Sequence, residues 1–290
     1  MLRLTLDAYS GRDNPSWLMP ALPAIPILRR IASDLNFVIA PEAVPPVLGY
    51  RGLNLQILSP DLRLRFNLPP WLSLVPGVGG SLARHAEQVA QLLWLAARLG
   101  STVSGPDFGK LLRLIERFLA NLFASGGKPA TPGGASAPTG PCAFETLAYD
   151  PGFWNDAAHI KRNNCYAYAT NRRTDTFPQP GRATGHPITD FTCASAVAAS
   201  KSDGAHAVND CFDESERPRL LVALVIWPGE DGDYHWYRKH PDFWGHKPGE
   251  TAARNVDSSG KIITDPERCD RGPYTDFCGY FLIPKSQKVA

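Results

Sequence analysis

The residue best suited to nucleophilic chemistry is Cys165, which lies in residues 163–169 with the sequence NNCYAYA. A cysteine attacks a carbonyl as a thiolate, and it needs an exposed position beside a proton acceptor. Asn163 and Asn164 are strong N-cap residues, so we expect Cys165 to occupy the first turn of a helix. The helix dipole then favours the thiolate and lowers the pKa of the cysteine. The motif predicts a nucleophile, with a buried structural cysteine as the alternative.

Histidines further along the chain are candidates for the proton acceptor. His235 opens a predicted strand that follows a buried strand and a tight turn. A neutral imidazole there accepts the thiol proton and later donates it to the leaving group. If residues 236–238 and 244–246 pair as a hairpin, His246 lies nearly opposite His235 and orients its ring. Asp257 and Asn255 are the alternatives for this third role.

Substrate binding needs donors and a contact surface near the nucleophile. Backbone amides at the start of the helix, including that of Cys165, are expected to hold the oxyanion. In the predicted reaction, the Cys165 thiolate attacks an amide carbonyl and water resolves the acyl-enzyme, with His235 as the base. The further candidates for substrate or oxyanion binding are Asn164, Gln179, Trp236 and Lys247.

Two non-hydrolytic interpretations compete with this one. Cys269 and Cys278, together with His235, His240 or His246, contain enough nitrogen and sulfur ligands for a tetrahedral zinc site. No Cys-x-x-Cys or His-x-x-x-His spacing fixes two of these ligands locally, so we expect no metal and no other cofactor. The aromatic-rich strands of this half also suit a non-catalytic binding module with a ligand groove.

A run without large apolar side chains divides the chain. Residues 124–141 are rich in Gly, Pro, Ser and Ala, so burial cannot offset their ordering entropy. We predict an N-terminal α+β domain at 1–123, a flexible linker at 124–141 and a C-terminal domain at 142–290. The first domain is expected to serve in targeting or in binding a protein partner, and its one histidine, His85, is expected to be a solvated or packing side chain.

Periodicity predicts the elements that position these residues. In the first domain, residues 2–6 alternate as a strand, and helical spacing covers 25–35, 81–99 and a segment from 106. In the second, a short helix begins at Cys165 and another covers 194–200. Apolar or alternating runs then predict an antiparallel meander, which gives an α+β arrangement. Its strands are predicted at 220–227, 234–239, 244–246 and 279–283.

A cysteine that opens a helix, followed by a histidine at the start of a strand and a polar residue on the next strand, resembles the papain-like fold. The order Cys165, His235, His246 is similar to that of the NlpC/P60 group of cysteine peptidases and amidases. The resemblance implies a peptide, protein or peptidoglycan-like substrate, or a protein deamidase or acyltransferase on the same pair. Residues 164–169, 177–181 and 244–249 also resemble an uncharacterised group of phage and bacterial proteins, and residues 10–17 and 48–52 an uncharacterised bacterial domain.

Composition limits the partners and the compartment. The net charge of +2 over 290 residues gives no reason to expect nucleic acid. No apolar run is long enough for a membrane span, and the N-terminus lacks the pattern of a signal peptide. We therefore expect a cytoplasmic protein, with signal-independent export left open. The six cysteines are expected to be free thiols, or to pair as Cys193/Cys211 and Cys269/Cys278 after export.

Overall fold

The computed structural model describes residues 1–40, 47–76, 82–99, 101–104, 113 and 141–290. The chain divides into two compact units. Unit 1 comprises residues 1–8, 13–45 and 50–128, and unit 2 comprises residues 9–12, 46–49 and 129–290. The predicted linker and the predicted helix from residue 106 lie almost entirely outside the described residues. The predicted domain boundaries therefore stay a prediction.

Unit 1 combines helices with an antiparallel sheet. From edge to edge, its strands are β3 (Val38–Ile39), β5 (Trp71–Leu74), β4 (Gly52–Ile57), β1 (Leu2–Asp7), β2 (Ser16–Met19) and β6 (Ser101–Ser104). The alternating run that begins at Leu2 forms a strand in the middle of this sheet, as predicted, and Leu2, Leu4 and Leu6 are fully buried. The described α-helices of unit 1 are α1 (Ile25–Ser33), α2 (Pro60–Phe66) and α3 (Leu82–Leu99).

Unit 2 contains a second antiparallel sheet. From edge to edge, its strands are β10 (Trp244–His246), β9 (Asp233–Lys239), β8 (Leu220–Trp227), β11 (Asp276–Ile283) and β7 (His206–Ala207). The apolar run 220–227 is its central strand, buried on both faces, as predicted. Both units therefore have the predicted α+β character, whereas the papain-like arrangement of unit 2 stays a prediction. The described α-helices of unit 2 are α4 (Pro151–Asn155), α5 (Cys165–Ala169) and α6 (Cys193–Ser202).

The core of unit 2 lies between α5 and one face of the sheet. Side chains of a strand alternate between its two faces. Tyr234 and Trp236 of β9 therefore pack with Cys165 and Tyr166 of α5. The alternate residues Leu220, Val222, Leu224 and Ile226 of β8 complete this face of the core.

Two disulfides link distant segments of unit 2. Cys142 is bonded to Cys211, and Cys193 to Cys278, with Cα separations of 5.1 and 5.2 Å. The predicted pairs Cys193/Cys211 and Cys269/Cys278 are wrong, as is the expectation that all six thiols are free. The physical reason is tertiary packing, because Cys193 begins α6 and α6 packs on β11, which carries Cys278. Cys165 and Cys269 are free.

Among the described residues, the helices are all too short or too polar to cross a bilayer. His85 of α3 is buried, and its Nε2 is hydrogen-bonded to the Tyr50 hydroxyl at 2.9 Å. It is thus a packing histidine, one of the two predicted possibilities.

His85 makes the stability of unit 1 depend on pH. Burial lowers its pKa from 6.5 to about 4. The folded state disfavours the charged His85 ring. The stabilisation that the neutral ring provides is therefore complete above pH 6.5 and is lost as the pH falls towards 4. Between pH 7 and pH 4.5, we expect the wild type to lose about 2–3 kcal/mol more unfolding free energy than His85→Gln, as measured by urea denaturation. Equal losses would contradict this assignment.

Candidate functional site

The start of α5 is built by Asn164. Its Oδ1 accepts a hydrogen bond from the Ala167 amide at 3.0 Å, which confirms the predicted N-cap. Its Nδ2 donates to the carbonyls of Gly11 and Pro178, each at 2.7 Å. Both donor and acceptor groups of the side chain are therefore engaged within the protein, and Asn164 is not available as the predicted oxyanion donor.

Cys165 is fully buried at this helix start. Its Sγ lies 3.8 Å from the Tyr234 carbonyl oxygen, to which the thiol donates a weak hydrogen bond. Burial, and after it the negative charge of Asp233, raise the pKa of the thiol well above its ordinary value. The predicted lowering of this pKa is wrong, because α5 has only five residues and its favourable dipole does not offset desolvation.

His235 and Cys165 lie on different sides of β9. Since Tyr234 and Trp236 face the core that contains Cys165, the intervening His235 points to the opposite face. There its ring meets that of Tyr237 edge-on, with centroids 4.8 Å apart. The structure thus does not bring the imidazole to the thiol, and it gives the predicted catalytic pair no geometric support.

The predicted contact between the two histidines is present. His246 of β10 pairs with Tyr237 of β9. The predicted pairing of residues 236–238 with 244–246 places His246 opposite Trp236, so the register differs by one residue. His235 Nε2 and His246 Nδ1 are hydrogen-bonded at 2.9 Å, and His246 Nε2 is hydrogen-bonded to the Val256 carbonyl at 2.9 Å. His246, rather than Asp257 or Asn255, therefore orients His235. A catalytic role for this pair stays a prediction.

The two alternative orienting residues belong to a loop. Asp257 accepts hydrogen bonds from the amides of Ser259, Lys261 and Asp270 through its carboxylate. The backbone carbonyl of Asn255 accepts from the Ile263 amide. These contacts close the turn that follows β10, and the Asp257 carboxylate is engaged there.

Lys247 is a buried structural cation. Its ammonium group donates to the carbonyls of Ile160, Asn163 and Gly249 at 2.5, 2.5 and 2.6 Å. An ammonium group has three donor hydrogens, and these three carbonyls match them. The ammonium group is thus engaged within the protein, and the predicted role of Lys247 toward a substrate or an oxyanion stays a prediction.

The two remaining predicted binding residues also serve the interior. Gln179 donates through Nε2 to the Gly11 carbonyl at 2.8 Å and accepts from the Tyr234 hydroxyl at 2.9 Å. Trp236 is fully buried, with its ring 6.0 Å from that of Tyr166. Gln179 is partly buried and Trp236 is fully buried, and a role of either residue in substrate binding stays a prediction.

The zinc alternative fails on one of its ligands. The Cys278 sulfur is bonded to Cys193, so it cannot coordinate a metal. Within the described part of the chain, no group of three or more His, Cys, Asp or Glu residues is arranged to hold a metal ion.

Sequence reasoning missed the 9–12 segment, Tyr9–Arg12, which is part of unit 2. The Ser10 carbonyl accepts hydrogen bonds from the Cys165 amide at 3.4 Å and from the Gly249 amide at 3.1 Å. The amide predicted to hold an oxyanion is therefore already bonded to a peptide carbonyl. The sequence of residues 10–16, SGRDNPS, is typical of a turn and falls within the predicted first domain, so it gives no sign of a place in unit 2.

Asp233 anchors the same segment. Its fully buried carboxylate accepts from the amides of Ser10, Gly11 and Arg12, at 2.5, 3.0 and 3.0 Å, and from the Tyr274 hydroxyl at 2.6 Å. Burial raises the pKa of this carboxyl, and the four donors act in the opposite direction. Three consecutive amides that converge on one anion form a backbone nest.

Native thiol reactivity tests the burial of Cys165. With a small alkylating agent at pH 8, we expect slow modification of Cys269, which is only partly buried and whose pKa is raised to about 12 by desolvation. Cys165 should react only after denaturation, when the two rates converge. Peptide mass mapping measures both, and preferential native labelling of Cys165 would contradict the closed site.

Removal of the Lys247 ammonium should destabilise unit 2. Lys247→Ala leaves two buried carbonyls and one part-buried carbonyl without their donor, so we expect a loss of about 3 kcal/mol in unfolding free energy. Lys261→Ala, at an exposed position, is the matched control and should change it by less than about 0.5 kcal/mol. Equal effects in urea denaturation would refute the structural role of Lys247.

Comparison with known proteins gives one relationship. No family model and no solved structure matches the chain. A protein described as "Insoluble matrix shell protein 1", from Ruditapes philippinarum, is 45% identical over 142 residues, which are 49% of this chain and 93% of that protein. At this identity and coverage, the chain belongs to the family of insoluble matrix shell protein 1.

Proposed function

We propose that this chain is a non-catalytic structural protein, and that unit 2 is a disulfide-stabilised module of an insoluble matrix outside the reducing cytosol. The observation that carries the proposal is the pair of disulfides in unit 2. Such bonds persist in oxidising compartments and are rare where thiols are kept reduced. This replaces the cytoplasmic expectation, and the name of the relative from Ruditapes philippinarum agrees with it.

The disulfides suit a protein that must persist. They join residues 69 and 85 positions apart in the sequence. In the chain-entropy model, closing loops of this length stabilises the folded state by about 4 kcal/mol for each bond. A structural module gains directly from such cross-links, because they restrict the unfolded chain without requiring any accessible chemistry.

The closed surroundings of Cys165 also favour a structural role. A nucleophile needs an accessible thiolate beside a base. Here the thiol is buried with a raised pKa, and His235 is directed away from it. Burial and a raised pKa oppose catalysis, and both are typical of a cysteine in the core between a helix and a sheet.

An amide hydrolase on Cys165 is the second proposal. One observation favours it, since the Cys165 amide donates to the Ser10 carbonyl as an oxyanion donor would to a substrate. Turnover would require the 9–12 segment to leave, the thiol to become exposed and His235 to reach it. No cofactor is needed for this reaction, and its substrate would be a peptide-like amide.

Matched cysteine variants separate the two proposals. For a structural protein, Cys193→Ala should lower the unfolding free energy by about 4 kcal/mol. Cys165→Ala should leave the unfolding free energy within about 2 kcal/mol of the wild-type value. Differential scanning calorimetry and limited proteolysis, with and without reductant, measure both. An amidase activity on peptide or peptidoglycan that Cys165→Ala abolishes would reverse the order of the two proposals.

A further inference from the structure

The site that holds the 9–12 segment has the features of a peptide-binding site. The Gly11 carbonyl accepts hydrogen bonds from Asn164 Nδ2 and Gln179 Nε2, at 2.7 and 2.8 Å. The Tyr234 hydroxyl lies 3.0 Å from the same oxygen and shares its single proton between this carbonyl and Gln179 Oε1. Together with the nest around Asp233, these contacts engage both sides of a short stretch of backbone. Most of this recognition is directed at the main chain, as in other sites that bind extended peptides.

At the position of Gly11, the backbone of the segment lies so close to Tyr234 that only glycine fits. A Cβ on Gly11 would lie 2.5 Å from ring atoms of Tyr234 and 2.6 Å from the Tyr234 carbonyl oxygen. These separations are far below van der Waals contact, and one of the atoms is backbone. The site therefore selects a residue without a side chain at this point.

Arginine is recognised at the next position. The guanidinium group of Arg12 donates to the Gly232 carbonyl at 2.9 Å and lies over the ring of Phe191, 5.0 Å from its centroid. An arginine can combine a hydrogen bond with a stacking contact of this kind. The preferred ligand is thus a Ser-Gly-Arg backbone with an arginine side chain.

The segment and its site are far apart along the chain. Gly11 is 153 positions from Asn164 and 223 from Tyr234. Residues 1–8 and 13–45, on either side of the segment, are grouped with unit 1. The contacts are the same whichever copy of the chain provides the segment, so nothing in the site distinguishes its own segment from that of another molecule.

We propose that this site also takes the 9–12 segment of a second copy of this chain and so links molecules by segment exchange. The inference rests on the structural role proposed above and names the partner. Exchange of an identical element is a low-cost route to oligomers. Because the tethered segment competes at an effective concentration of about 1 mM, exchange is favoured where the protein is concentrated, as in a matrix.

A complementation experiment with the full-length chain tests exchange. Gly11→Val removes a usable segment but keeps the site, and Asp233→Asn removes the site but keeps the segment. Each variant alone should remain monomeric in analytical ultracentrifugation, whereas an equimolar mixture should form a one-to-one dimer. As a control, Tyr274→Phe removes one hydrogen bond to Asp233 and keeps the three that the amides of the segment donate to it. A mixture of Tyr274→Phe with Gly11→Val should therefore not form the one-to-one dimer.

A mixture of folded variants that stays monomeric at about 1 mM would overturn the proposal. If circular dichroism shows either variant to be unfolded, a labelled peptide of residues 7–14 is titrated into the wild-type chain instead. Saturable binding of this peptide supports the proposal if the same peptide with Val in place of Gly11 does not bind. If the peptide does not bind at about 1 mM, the proposal is overturned. The disulfide and Cys165 variants test the structural role independently of either outcome.

Discussion

The carboxylate of Asp233 is the contact on which the site in unit 2 depends. It stands at the start of β9, fully buried, and its charge is balanced by three successive backbone amides and the Tyr274 hydroxyl. A buried anion of this kind is tolerated only when hydrogen bonds replace its lost hydration. The 9–12 segment supplies most of that replacement, so the anion and the segment require each other.

This arrangement determines the environment of Cys165. Once the segment is held by Asp233, the Ser10 carbonyl meets the Cys165 amide, and the Gly11 carbonyl meets the cap residue Asn164. The helix start is thereby filled with protein backbone instead of being open to a ligand. The charge of Asp233 adds to desolvation in raising the pKa of the thiol, so one buried carboxylate both closes the site and suppresses the thiolate.

Local patterns predicted much of the fold. The apolar run 220–227, the hairpin between β9 and β10 and the cap at Asn164 each depend on neighbouring residues, and each was predictable from sequence. The sequence did not predict which face of β9 packs against α5. A contact between Cys165 and His235 requires the face that carries His235, whereas α5 meets the face that carries Tyr234 and Trp236. The disulfide partners and the 9–12 segment depend on contacts between residues tens to hundreds of positions apart, for which no local signal exists.

The position of the 9–12 segment also affects the order in which unit 2 can form during synthesis. The segment is made before its anchor Asp233, which follows 222 residues after Gly11. At about 5–20 residues per second, the segment emerges roughly 10–45 seconds before its site exists. Unit 2 therefore cannot be completed by its own contiguous residues as they leave the ribosome. Its last step must recruit a segment that was made much earlier, which gives chaperones and neighbouring chains an interval in which to bind that segment.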